Sequence, residues 1–199
     1  WVADWYDFII QHNPLPSGFK MGKGNAYITP LREHGMARIY RVIYPSEKKT
    51  YPRLSAENPE TLLETLGHPN LFWRLAAQRL LVDRQKKDVV PSLKKLLRQK
   101  GKLDAIGNDP SALHALWTLE GLGMASEAEI KAALGHEADS VRRASIIMME
   151  RNENNRDILI ASRALLDESP SVQLAALVAF AEMPPAPMVG PALAKGLEH

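Results

Sequence analysis

Three stretches of the chain share one spacing of apolar and small residues. They are Trp73-Ala76-Ala77-Leu80-Leu81, Val141-Ala144-Ser145-Met148-Met149 and Val172-Ala175-Ala176-Ala179-Phe180. In each, offsets 0, +3, +4, +7 and +8 fall on one face of an α-helix. Small residues at +3 and +4 let a neighbouring helix approach closely, and larger ones close the ends of the seam. The recurrence of such a face predicts helical pairs stacked as a solenoid, not one closed core. The small site falls at Ala76, Ala115, Ala144 and Ala175, in steps of 39, 29 and 31 residues. A loop over residues 100–110 absorbs the long first step.

Capping and breaking residues place the helices. Asn58-Pro59-Glu60 is a cap followed by a proline tolerated in a first turn. A short helix over 60–66 ends at Gly67-His68-Pro69-Asn70, and a longer one over 71–84 follows. The next pairs are 89–99 with 111–122, 126–134 with 140–151, and 155–166 with 171–183. Ser126 and Glu129 have the spacing of a capping box. Pro184-Pro185-Ala186-Pro187 breaks the chain before a last helix over 188–197. Words repeat as well as periods: Leu66-Gly67-His68-Pro69 stands before Trp73 as Leu134-Gly135-His136-Glu137 stands before Val141.

Residues 1–44 differ in kind, being rich in Trp, Tyr, Phe, Ile, Gly and Pro. Residues 1–10 and 37–44 have the aromatic and β-branched content of strands, with turn chemistry at 12–18 and 22–25 between them. So few strands cannot form an independent domain. They either pack on the helices or are the remnant of a larger β structure, and the remnant is the expectation. The reading is therefore mainly α: an α-solenoid of about four helix pairs over 60–197, a linker over 45–59 and a β remnant over 1–44.

Composition narrows the chemistry. The chain has 199 residues, with 25 Lys and Arg nearly balanced by 23 Asp and Glu, so overall charge makes no case for nucleic acid. With no cysteine there is no disulfide, thiolate metal site or cysteine nucleophile. The longest apolar run, residues 174–181, is too short to span a bilayer. Trp1 is not preceded by an initiator Met, which suggests a piece of a longer chain, and Leu197-Glu198-His199 resembles the start of a tag.

Candidate sites are few. The histidines at 12, 34, 68, 114, 136 and 199 show no metal spacing. His68 and His136 share a repeat turn and are expected to brace it, and His114 is expected to pack inside its helix. Asp4 and Asp7 fall on opposite faces of a strand, which is poor geometry for paired-carboxylate catalysis. Gly22-x-Gly24 lacks the strand and helix of a dinucleotide cradle. No catalytic, cofactor or metal residue is assigned. Residues 85–102 hold seven cations against Asp88 alone, a local net of +6. The apolar stripe Val90, Leu93, Leu96 and Leu97 leaves Lys94, Lys95 and Arg98 outward, a possible anion-binding ridge without aromatic residues for base stacking.

Two resemblances add context. The uneven period and the arginines at Arg74, Arg142 and Arg143 resemble HEAT-like repeats of the phycobilisome-lyase type over residues 58–197. The N-terminal runs (Trp1 to Asp7, Gln11 to Pro14, Gly22 to Tyr27, Arg38 to Val42), followed by the run from His68 to Leu81, resemble the propeller-to-HEAT junction of membrane-bound sugar or sorbosone dehydrogenases of planctomycete-type bacteria. That family implies a secreted or periplasmic parent and quinone-linked redox chemistry. Most of the propeller and any Cys-x-x-Cys-His haem motif are missing here, so those activities are not carried over. The expectation is a protein-interaction or scaffolding module without catalysis of its own. Its partner is an unidentified protein, met near Arg74, Arg142 and Gln173 on a concave face. The alternatives are part of a sugar-oxidising enzyme, or anion binding through the basic ridge.

Overall fold

The computed structural model describes residues 2–4, 38–40, 42 and 51–197, and the chain divides into two compact units between Tyr51 and Pro52. In the first, β1 (Val2–Asp4) pairs antiparallel with β2 (Arg38–Tyr40), setting Val2 against Tyr40 and Asp4 against Arg38. Asp7, His12, His34 and the Gly22-x-Gly24 turn lie outside the described residues.

The second unit is helical throughout. Its elements are α1 (Pro59–Thr65), α2 (Leu71–Asp83), α3 (Val90–Arg98), α4 (Pro110–Gly121), α5 (Glu127–Leu134), α6 (Asp139–Met148), α7 (Glu153–Ser162), α8 (Pro170–Glu182) and α9 (Val189–Leu197). Asn58 caps α1 as expected, and the side chains of Asn70, Asp109 and Asn152 likewise each accept an orphan amide of the following first turn. At the end of α4, Gly123 takes φ +65°, while Gly123 and Met124 donate to the carbonyls of Glu120 and Leu119. That is a Schellman stop, and it needs glycine at the left-handed position.

Two ends fall short of expectation, for local reasons. Helix α6 stops at Met148 because the Arg151 guanidinium turns back to the carbonyls of Ile146 and Met149. Helix α7 stops at Ser162, whose hydroxyl donates to the Leu159 carbonyl at 2.7 Å. Arg163 then takes φ +59°, and a short 3-10 turn (Ala164–Leu166) tucks Ala164 and Leu165 into the core.

Packing runs from helix to helix in sequence. Helix α2 packs on α4, α4 on α6 and α6 on α8, while α3 packs on α5 and α5 on α7. Leu62, Leu66, Leu81, Leu93, Leu97, Leu116 and Leu119 are wholly buried, each contributing about 2 kcal/mol by area. The small positions do what their size permits: Ala77, Ala115 and Ala176 are also fully buried. Gly121 lies so near Val82 that a Cβ there would sit 2.8 Å from its Cγ2. Helix α6 joins two apolar clusters, giving Val141 and Ala144 to one and Ile146 to the other, which also takes Met149 just past its end.

Candidate functional site

The repeated turn is a built device. In the first copy His68 Nδ1 accepts the Asn70 amide at 3.0 Å, and Arg74 Nη1 reaches back to the carbonyls of His68 and Pro69 at 2.7 and 3.0 Å. In the second copy His136 Nδ1 accepts the Ala138 amide at 3.0 Å, and Arg142 Nη1 reaches the carbonyls of His136 and Glu137 at 2.8 and 2.9 Å. A third copy keeps the geometry with other residues: Asp167 Oδ1 accepts the Ser169 amide at 2.9 Å, and Gln173 Nε2 donates to the Asp167 carbonyl at 2.7 Å. In all three the latch side chain stands six residues after the turn residue.

The two arginines also reach forward along the chain. Arg142 Nε and Nη2 hold the two oxygens of Asp167 at 2.8 Å each. This bidentate pair raises the Arg142 pKa, chiefly through the hydrogen bond to Asp167. Arg74 Nε instead donates to His114 Nε2 at 3.2 Å, which leaves the ring proton on Nδ1, 2.6 Å from Gln78 Oε1. Burial first, and the Arg74 charge second, push the His114 pKa down to about 4, so the ring is neutral. Burial likewise lowers the pKa of His136, against the pull of Asp109. The 3.9 Å from His136 Nε2 to Asp109 Oδ2 is therefore a dipole facing a carboxylate, not an ion pair.

A second polar knot joins α3 to α5. Glu129 is fully buried, and its carboxylate takes Lys94 Nζ at 3.1 Å, Arg98 Nη2 at 2.7 Å and the Ser126 hydroxyl. Burial alone would raise its pKa; the hydrogen bonds from Ser126, Lys94 and Arg98 together outweigh it and hold the group at about 2. The Ser126–Glu129 spacing is thus not a capping box, because the two side chains bond each other and the α3 cations instead of the helix amides.

Comparison of the chain with family models, curated proteins and solved structures returns no match.

The predicted surface residues part company. Arg142 is only 8 % exposed, so a role in meeting a partner gives way to a structural one. Lys94 is half-buried and ion-paired with Glu129, while Arg98 is exposed as expected but shares that same carboxylate. Lys95 is exposed, as are Lys86, Lys87, Lys100 and Lys102. Arg74 is half-exposed and lines a groove of about 540 Å³ between α2, α4 and the loop before α4. Glu129 and Asp167 are the polar anchors that spacing did not reveal. The Asp167–Gln173 interval of six residues, equal to His68–Arg74 and His136–Arg142, is the signal that would have exposed the third turn. Among the described residues no group of three or more His, Asp or Glu is placed to hold a metal ion, and no helix is long and apolar enough to cross a membrane.

Proposed function

We propose that residues 52–197 form a HEAT-like helical repeat module that binds another protein along the row of second helices α2, α4, α6 and α8. The observation that carries this reading is apolar exposure on that row. Leu71, Phe72 and Leu75 on α2, Ile147 on α6, and Leu174, Leu177 and Val178 on α8 all stand exposed. Exposed apolar positions that recur in this way favour protein contact. Helix α8 is apolar nearly all round, a composition normal for a helix covered on every side.

The secreted dehydrogenase-like parent belongs to the same proposal, supported by the N-terminal resemblance. The module is assigned no catalytic step. The ridge alternative is weaker, since Lys94 and Arg98 already share Glu129.

The test is capture of a partner on the immobilised full chain at low and high salt, beside chains carrying Ile147→Glu or Leu177→Glu. One saturable partner that survives high salt and is lost with either substitution supports the module. Material that is heterogeneous, salt-sensitive and indifferent to both substitutions overturns it.

A further inference from the structure

Arg74 and Arg142 occupy the same place in two copies of one turn, yet only Arg142 is complete. Each commits Nη1 to two turn carbonyls, at 2.7 and 3.0 Å for Arg74 and 2.8 and 2.9 Å for Arg142. Arg142 then places Nε and Nη2 on the carboxylate of Asp167. Arg74 has the ring of His114 on Nε, and its Nη2 has no partner among the described residues. A neutral imidazole does not balance a half-buried guanidinium, whose flat fork matches a carboxylate.

Arg74 is part of the lining of the groove. Its walls are Leu71, Leu75, Ile106, Leu113 and Trp117. Leu75 is 50 % exposed and Ile106 82 %, which is more apolar surface than a small carboxylic acid would cover. Asp104 also lines the groove. Its Oδ1 is held by the amides of Ile106 and Asn108 at 3.0 and 2.9 Å, and it forms no ion pair with Arg74.

We infer that Arg74 is the carboxylate-recognising centre of this groove, and that the ligand is a protein segment presenting an aspartate or glutamate side chain among leucine-like residues. The carboxylate takes Nη2 of Arg74, the nitrogen left open by His114 on Nε and the turn carbonyls on Nη1, and the flanking apolar side chains cover Leu75 and Ile106. This inference rests on the protein-binding reading and names the chemistry of the partner.

A random-peptide phage library selected on the immobilised full chain tests it. The expected result is enrichment of acidic residues flanked by apolar ones. Exchanging the selected acid for its amide should weaken a synthetic copy of the peptide about tenfold. Leu75→Glu, an exposed change that sets a like charge beside the site, should abolish binding. Arg74→Gln should do the same, with circular dichroism checking that its turn still folds. Peptides without an enriched acid, or acidic peptides indifferent to Leu75→Glu, overturn the inference and leave the protein-binding reading standing. An empty selection overturns it as well. The wider reading is then decided separately by the Ile147 and Leu177 variants, which lie outside this groove.

Discussion

Arg142 grips both oxygens of Asp167, 25 residues further along the chain, while its third nitrogen caps the carbonyls of its own turn. One side chain thus ties the α5–α6 turn to the α7–α8 turn, with both partners nearly buried. Removing one member of such a pair leaves a charge without compensation. Arg142→Gln, which removes the charge and leaves the Asp167 carboxylate without it, should destabilise the helical unit by about 3 kcal/mol. Urea denaturation of the variant checks this, and an unchanged midpoint would remove Arg142 as a structural latch.

Acid should loosen the Arg74 latch through His114. The folded chain takes this proton only near pH 4, whereas an unfolded histidine takes it near 6.5. As pH falls, the unfolded state is protonated first. The contribution of neutral His114 is therefore whole above pH 6.5 and is lost as pH falls from 6.5 towards 4, about 3 kcal/mol in all. The lowered pKa of His136 acts in the same direction. Urea midpoints collected from pH 7 to pH 4 should fall steeply, and His114→Gln should flatten the slope; parallel slopes in the two proteins would refute the assignment.

Glu129 governs a more acidic window. Its carboxyl lies at about 2 in the fold against 4.5 ordinarily, so its contribution is present above 4.5 and vanishes as pH falls through 2. Glu129→Gln should cost about 2 kcal/mol at neutral pH, a figure discounted because Lys94 and Arg98 both keep part of their hydration. A double-mutant cycle with Arg98→Gln should show coupling between the two sites, and simple additivity would mean that they do not act together.

Gly121→Ala should behave against helix propensity. In an open helix the change would stabilise by about 1 kcal/mol. Here the new Cβ meets Val82 Cγ2 at 2.8 Å, so we expect a net loss of about 1 kcal/mol through overpacking. Val82→Ala in the same chain should recover most of that loss, and thermal melts of the single and double variants would show whether it does.

Local structure was largely legible in the chain. Asn58 with Pro59 announces the first helix, and of the repeated small positions Ala115 and Ala144 are buried, while Ala76 and Ala175 are half-buried beside the fully buried Ala77 and Ala176. The polar wiring was not. Lys94 and Arg98 look outward on a helical wheel because their partner, Glu129, belongs to another helix and sits beside a serine that offers a more obvious local role. Arg142 looks like a surface arginine for the same reason: periodicity reports which face is apolar, not which distant carboxylate a long side chain finds. The left-handed Arg163 carries no glycine to announce it.

The forward reach of the latches also gives the helical unit a direction. Arg74 leans on α4 and Arg142 on the turn before α8, but Gln173 turns back to a carbonyl of its own turn. Helix α4 and the turn before α8 are thus each held by an earlier latch, whereas Gln173 holds only its own turn and Arg156 reaches the carbonyls of Pro184 and Pro185 just before α9. Local opening is cheapest where neighbours hold least, so amide exchange should rise from α9 backwards. The unit would unzip from its C-terminal end long before α2 and α4 let go.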